Sequence, residues 1–175
     1  FGEQVAINVH IPAPPEQQGV WLWTLSEDKP VNIYPTEDAA PVVGVEFSPD
    51  GSHLLLTDYR LGMMAVDDPS SSSFSILSVD GGEPQAIDTD RYVLSAGWSA
   101  DGSALAYIVF GGADADDNGL YITNEPGIPG ELILAGDFFA PTSPGLQSLV
   151  WSADNTLLIS RRETFTALLV ELEQQ

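Results

Sequence analysis

The chain has 175 residues, 43% of them hydrophobic, and its 26 acidic residues outnumber 5 Lys and Arg to give a formal net charge of −21. A surface of this charge repels phosphate backbones and anionic lipid, so we expect no nucleic-acid partner, and no apolar run reaches the ~20 residues of a membrane-spanning helix, so we expect no membrane insertion. The absence of cysteine excludes disulfides and thiol chemistry.

The first unit, residues 1–40, begins with the strand-like segment FGEQVAINV. Two further apolar segments follow, GVWLWTL (19–25) and VNIYP (31–35), with a polar turn between them. Apolar stretches separated by turn residues are typical of paired antiparallel strands. This unit is therefore predicted to be a small sheet.

The next three units each contain the same hairpin. The copies are VEFSPDGSHLLL (45–56), AGWSADGSALAYIVF (96–110) and LVWSADNTLLIS (149–160), and their turn aspartates, Asp50, Asp101 and Asp154, lie 51 and 53 residues apart. In the first copy Pro49 presets φ for a type I turn, Asp50 can bond back to the backbone, and Gly51 accepts the positive φ that follows. The repetition predicts one supersecondary unit used several times.

A third strand is predicted after each hairpin, and a fourth after two of them. The third strands are SFSILSV (73–79), GLYITN (119–124) and FTALLVEL (165–172), and the fourth strands are QAIDT (85–89) and ELILA (131–135). The aromatic residues just before the turns, Phe47, Trp98 and Trp151, are predicted to anchor the core. Four antiparallel strands per repeat of about 50 residues are typical of a β-propeller blade.

These motifs resemble the TolB-type propeller repeat, a relative of the WD repeat. That family carries S-P-D-G in its first hairpin, and VDGGEP (79–84) is similar to the turn before its last strand. The resemblance covers nearly the whole chain. It implies an all-β propeller region over residues 1–175, with a partial blade at 1–40, blades at 41–90 and 91–140, and a partial blade at 145–175.

The strand register leaves the first and last units incomplete. Phe1 aligns with Asp50, so the first unit lacks its first strand, and the last unit ends after its third strand. The total is 14 predicted strands, or three to four blades, whereas closed propellers have about 4–8. We therefore expect the chain to pack against further propeller blades, of the same protein or of another copy, or against a protein partner.

The stretch DADDNG (114–119) has the ligand spacing of a calcium loop and matches D-x-[DN]-x-[DN]-G-x5-E when read on to Glu125. Because the flanks are strands, an EF-hand is excluded, but a calcium loop between propeller strands stays open, as does a solvated acidic loop. The predicted Ca²⁺ ligands are the side chains of Asp114, Asp116 and Asn118 and the carbonyl of Leu120, with Asp117 and Glu125 as weaker members.

No nucleophile elbow is present, and the only histidines, His10 and His53, stand alone, so we predict no catalytic residues and no cofactor other than calcium. The favoured function is a non-catalytic interaction or scaffold module in an extracytoplasmic location. The alternatives are the propeller part of a prolyl-oligopeptidase-type peptidase, whose hydrolase domain would lie elsewhere, and a propeller lyase or glycosidase. Met63 and Met64, in the insertion 60–73, are predicted either to form a partner patch or to pack on their own blade.

Overall fold

The computed structural model describes residues 2–9, 13–36, 42–58, 74–110, 116–138, 149–154, 156–161 and 166–171. These residues form 14 β-strands and one short 3₁₀ helix, Pro15–Gln17. Met63 and Met64, for which a partner patch and packing on their own blade were both open, and the calcium-ligand candidate Asp114 lie outside the described residues.

The strands form four antiparallel sheets that follow one another along the chain. Sheet 1 contains β1 (Gln4–Val9), β2 (Gly19–Thr24) and β3 (Val31–Pro35). Sheet 2 contains β4 (Val42–Phe47), β5 (His53–Asp58), β6 (Phe74–Ser78) and β7 (Gln85–Ala86). Sheet 3 contains β8 (Val93–Trp98), β9 (Leu105–Val109), β10 (Gly119–Thr123) and β11 (Glu131–Ala135). Sheet 4 contains β12 (Leu149–Trp151), β13 (Thr156–Arg161) and β14 (Thr166–Glu171).

The repeated hairpin turn forms as its residues predict. Gly51 takes φ 76°, and its N–H donates to the carbonyl of Ser48 at 2.9 Å. The Ser48 hydroxyl donates to Asp50 Oδ1 at 2.6 Å, and the Ser52 N–H donates to the same oxygen at 3.0 Å. These bonds, above all the one from Ser48, lower the pKa of Asp50 to about 2. A turn that closes on its own side chains fixes the register of the two strands that it joins.

The second copy of the turn repeats this pattern around Asp101. Gly102 takes φ 75°, and the N–H of Ser103 donates to Asp101 Oδ1 at 3.0 Å. Hydrogen bonds from the backbone and side chain of Ser103, and then from Ser99, lower the pKa of Asp101 to about 2. In the third copy, the hydroxyl of Ser152 donates to Asp154.

The central strands of sheets 2 and 3, which are β5, β6, β9 and β10, are buried on both faces, and this explains their almost continuous apolar sequences. Successive side chains of a strand point to opposite faces. In β5, Leu54 therefore packs in the core shared with sheet 1, and Leu55 packs in the core shared with sheet 3. In β9, Tyr107 faces sheet 2 and Ile108 faces sheet 4 in the same way.

Three cores thus lie between the four sheets. The core between sheets 1 and 2 contains Val20, Val42, Leu54, Leu56 and Leu77. The core between sheets 2 and 3 contains Leu55, Phe74, Ile76, Ile87, Val93, Ala96, Leu105, Tyr107, Val109 and Tyr121. The core between sheets 3 and 4 contains Tyr92, Leu94, Ala106, Ile108, Phe110, Leu120, Phe138, Leu149, Leu157 and Ile159. Antiparallel sheets of up to four strands, stacked face to face in chain order, are β-propeller blades, so the predicted fold class is confirmed.

The aromatic residues before the hairpin turns pack against these cores but are only half-buried. Phe47, Trp98 and Trp151 each contact the core that their sheet shares with the preceding sheet. The fully buried members at this level are instead the residues paired with them across the hairpin, Leu54, Leu105 and Leu157. The predicted fourth strand at 85–89 is also shorter than expected, because pairing ends at Ala86.

Candidate functional site

The outer face of sheet 1 is apolar and lies opposite the face that packs on sheet 2. Val5 pairs with Trp23, and Ile7 pairs with Trp21, so these four side chains share one face. Ala6 lies on the other face and packs in the first core. Val5 is 40% exposed, and the other three side chains are half-buried. We call the surface of these four residues the leading face.

The indole N–H groups of the leading face already have local partners. Trp21 Nε1 donates to the carbonyl of Gln17, and Trp23 Nε1 donates to the carbonyl of Glu27, each at 3.0 Å. Burying the two rings under a partner would therefore leave neither N–H unpaired, which removes the main cost of covering a tryptophan.

The outer face of sheet 4 carries an exposed apolar pair. Val150 of β12 pairs directly with Leu158 of β13, and the two side chains are 45% and 41% exposed. Their chain neighbours Leu149, Leu157 and Ile159 point the other way and are buried against sheet 3. We call the surface of Val150 and Leu158 the trailing face.

The repeat equivalents of Val5 are covered by a preceding sheet, whereas Val5 itself is not. The strand register places Val5 at the position of Leu54 in sheet 2, Leu105 in sheet 3 and Leu157 in sheet 4. These three leucines are 0%, 1% and 0% exposed, because each packs against the preceding sheet. Val5 is exposed at a position that is buried wherever a preceding sheet is present.

The trailing face follows the same rule in the opposite direction. Leu158 has the position of Leu55 and Ala106, which are 3% and 0% exposed because each packs against the following sheet. The leading and trailing faces are therefore the two halves of an inter-sheet contact that occurs three times inside the chain.

A buried polar network fastens sheet 2 to sheet 3, and no sequence motif marks its residues. Asp88, 0% exposed, accepts a hydrogen bond from the Tyr107 hydroxyl at 2.7 Å and from Arg91 Nε at 3.0 Å through one oxygen. Its other oxygen accepts from the N–H groups of Asp90 and Arg91 at 2.9 and 3.1 Å. The Tyr107 oxygen in turn accepts from the N–H of Gly130 at 2.6 Å. The segment after β7 is thereby tied to β9 and to the turn between β10 and β11.

Stacking and charge complete this network. The guanidinium carbon of Arg91 lies 4.0 Å from the ring centroid of Tyr121, which itself stacks on Tyr107 at 5.6 Å. Burial lowers the pKa of Arg91, but hydrogen bonding with Tyr121 and the charge of Asp88 outweigh it and raise the pKa above its usual value. Burial and the bond to Asp88 raise the pKa of Tyr107. Both groups therefore keep their protons at physiological pH, and the network is structural in character.

The acidic loop predicted as a calcium site is described from Asp116 onward. Asp116 and Asp117 are exposed, whereas Asn118 is buried and its side-chain amide donates to Asp137 Oδ1 at 2.5 Å. Asp137 follows β11 and reaches this loop because Gly119 pairs with Ala135. Asp137 lies outside the calcium-loop motif, and only the pairing of β10 with β11 brings it to the loop.

The remaining predicted ligands lie along β10 or beyond it. Leu120 is the second residue of the strand and pairs with both Ile108 and Leu134, so its backbone belongs to the sheet. Glu125 is exposed and lies beyond the opposite end of β10 from Asn118. The structure thus brings Asp137 to Asn118, and calcium binding at this loop stays a prediction.

Gly119 is needed for close packing rather than for a bend. Its backbone lies outside the left-handed region. A Cβ at Gly119 would lie 2.5 Å from Leu132 Cδ1 and 2.8 Å from the carbonyl oxygen of Leu134. Gly19, at the start of β2, is crowded in the same way by the carbonyl of Tyr34 at 2.5 Å. In both sheets the strand that follows carries one extra residue opposite the glycine-bearing strand, Ile133 in β11 and Ile33 in β3.

Within the described ranges, no group of three or more His, Cys, Asp or Glu side chains is arranged to hold a metal ion. In the same ranges no helix is long and apolar enough to cross a membrane. His53 is exposed, and the centroid of its ring lies 6.5 Å from that of Trp98. His10 lies outside the described residues.

No protein-family model matches the sequence. No curated protein matches it. Among solved structures, Hsv2 of Kluyveromyces lactis is similar, with a TM-score of 0.39 and 15% sequence identity over 88% of this chain and 54% of the Hsv2 chain. The chain thus spans about half the length of Hsv2.

Proposed function

We propose that this chain is a non-catalytic β-propeller section that works as an interaction scaffold, and that it binds further propeller sheets through its leading and trailing faces. The observation that carries the proposal is the exposure of Val5 and Leu158. The equivalents of both residues in sheets 2 and 3, and that of Val5 in sheet 4, are at most 3% exposed, whereas Val5 and Leu158 are 40% and 41% exposed.

The composition of the leading face supports a binding role. Trp21 and Trp23 present ring surface next to Val5 and Ile7. Tryptophan is among the residues that contribute most to protein interfaces, because a large rigid ring excludes much water at a small cost in side-chain entropy. The strands hold both rings in place before any partner arrives, so little ordering is needed on binding.

The partner surface is proposed to be a sheet face of the same kind. Each inner sheet already covers its neighbour through leucine, isoleucine, valine and aromatic side chains. An apolar sheet face of this kind is best matched by the face of another sheet. The core of an interface is packed as densely as a protein interior, so the same side-chain types can fill it.

Photo-cross-linking tests the proposal. A benzophenone side chain is placed at position 5 or 158 of the full-length protein in its source cells, with position 128 as control. Ile128 is 49% exposed in the turn between β10 and β11, on neither end face. The proposal predicts polypeptide adducts from positions 5 and 158, mapping to strand segments of a propeller repeat. Adducts no more frequent than those from position 128 would contradict it.

A further inference from the structure

We infer that sheets 2 and 3 open and close as one unit, and that sheets 1 and 4 open separately from it. This inference goes beyond the proposed scaffold function and does not depend on it. It rests on the segment 85–91, which starts with β7, leads towards β8 and bonds to sheet 3 at several points. We call this segment the latch.

The latch is bonded to the turn between β10 and β11. The N–H of Gly127 donates to the carbonyl of Ile87, and the side-chain amide of Gln85 donates to the carbonyl of Pro126, each at 3.0 Å. The contact is close, because a Cβ at Gly127 would overlap the Gln85 amide. Ile87 is itself buried in the core between sheets 2 and 3. The latch therefore joins the outer edge of sheet 2 to that of sheet 3.

The latch also bonds to β9, a central strand of sheet 3. Asp88 and Tyr107 are both 0% exposed, and the hydrogen bond of 2.7 Å between them joins the two sheets. The Tyr107 oxygen also accepts from the N–H of Gly130, which lies in the turn before β11. Hydrogen bonds to a charged acceptor are among the strongest in proteins, and opening either sheet alone breaks the whole set. The two sheets are therefore expected to open together.

The contact between sheets 1 and 2 is weaker than the latched contact. Among the described residues, its core has half as many buried members. The Asn8 amide donates to the carbonyl of Val42 at 2.5 Å, but the side-chain oxygen of Asn8 is buried and has no hydrogen-bond partner within the described part of the chain. A buried oxygen without a partner costs free energy, which offsets the gain from the amide bond. Opening sheet 1 is therefore expected to cost less than opening sheet 2.

Sheet 4 contacts sheet 3 through apolar side chains. Of the described residues of sheet 4, Leu149, Leu157 and Ile159 are fully buried in the shared core. The inner strand β12 has 3 residues, whereas β4 and β8 have 6 each. A sheet with a short inner strand and few buried side chains opens at a low cost in free energy. We therefore expect sheet 4 to open while the latch stays closed.

Native-state hydrogen exchange followed by mass spectrometry tests this inference. The exchange rate of a buried amide measures the free energy of the opening that exposes it. The comparison uses the central strands β2, β5, β9 and β13, because each has a hydrogen-bonded neighbour on both sides. In the wild type we expect β5 and β9 to share one protection factor, and β2 and β13 to be protected about tenfold less or weaker still.

The decisive variant is Tyr107→Phe, which removes one hydroxyl group and keeps the ring that stacks on Tyr121. Loss of the bond to Asp88 should lower the protection of β5 and of β9 by the same factor, about tenfold. The protection of β2 and β13 should change by less than about twofold, because these strands open while the latch is closed. This pattern distinguishes one latched unit from four sheets that open alike.

Three further variants complete the test. Asp88→Asn removes two bonds of the network, so the same pattern should appear with a loss of about 100-fold in β5 and β9. Asp90→Asn changes an exposed neighbour of the network and should leave all four strands unchanged. Leu157→Ala weakens the core between sheets 3 and 4 and should lower the protection of β13 about tenfold or more, which shows that β13 responds when its own contact is weakened.

Three results would overturn the inference. If Tyr107→Phe lowered the protection of all four strands by one factor, the chain would open as a single unit. If it lowered the protection of β9 but not that of β5, sheets 2 and 3 would open separately. If it changed none of the strands, the latch would not couple the sheets. The cross-linking result from positions 5 and 158 is independent of all three, so the scaffold proposal is tested separately.

Discussion

Replacing Asp88 with Asn should destabilise the protein by about 3 kcal/mol. The Asn oxygen can still accept from the N–H groups of Asp90 and Arg91, but its amide nitrogen would stand where Oδ2 now accepts from Tyr107 and from Arg91 Nε. Two hydrogen bonds to a charged acceptor are lost, each worth about 1.5–3 kcal/mol, and Arg91 is left 16% exposed without its counter-ion. Reorientation of the Tyr107 hydroxyl and the easier burial of an amide offset part of this loss.

The assay is urea unfolding followed by tryptophan fluorescence, with thermal unfolding beside it. A loss of about 3 kcal/mol lowers the melting temperature of a chain of this length by about 6–12 °C. Asp90→Asn is the matched control, since Asp90 is exposed and its replacement should change stability by less than about 0.5 kcal/mol. If Asp88→Asn were as stable as Asp90→Asn, the network would not be what holds sheet 2 to sheet 3.

Three further predictions concern single sites. Gly130→Ala should destabilise the protein by about 3 kcal/mol or more, because the new Cβ would lie 2.3 Å from the carbonyl oxygen of Ile122. A Cβ at Gly82 meets nothing within 4 Å, so Gly82→Ala should destabilise by only about 1 kcal/mol, the cost of its positive φ. Urea unfolding of the two variants compares these free energies. The pKa of Asp101 falls from 3.8 to about 2 on folding, so the stabilisation by its carboxylate is complete above pH 3.8 and is lost as pH falls through about 2. The difference in melting temperature between the wild type and Asp101→Asn should therefore disappear between pH 3.8 and about pH 2. Calcium added after EDTA treatment should release heat in calorimetry and raise the melting temperature if the loop 114–119 binds it, and no heat with no change in melting would leave a solvated acidic loop.

The sequence was sufficient for the features that depend on near neighbours. Asp50 and Gly51 define their turn through contacts within five residues, and the spacing of the turn copies gives the number and order of the sheets. The strand period also predicts apolar faces, although it does not say which face of an end sheet is left open. The structure identifies the open face of sheet 1, because Val5 is exposed whereas its repeat equivalents are buried.

The features that the sequence could not supply join residues far apart in the chain. Asp88 meets Tyr107 across 19 positions, and Asn118 meets Asp137 across the same separation. Neither pair stands in a motif, and Asp88 falls in a stretch that was predicted as a strand. Acidic residues are so numerous that no local signal separates a buried carboxylate from a solvated one. Only the pairing of the strands brings the partners together.

The most direct test of the central claim is the solvent accessibility of Trp21 and Trp23 in the native assembly. Hydroxyl-radical footprinting would compare the protein isolated under native conditions from its source cells with the same chain purified and diluted, using the half-buried Trp98 as an internal reference. Covered end faces predict that oxidation of Trp21 and Trp23 falls several-fold in the assembly while that of Trp98 stays constant. If Trp21 and Trp23 were oxidised to the same extent in the native assembly and in the diluted chain, the leading face would be open to water in both, which would contradict the account.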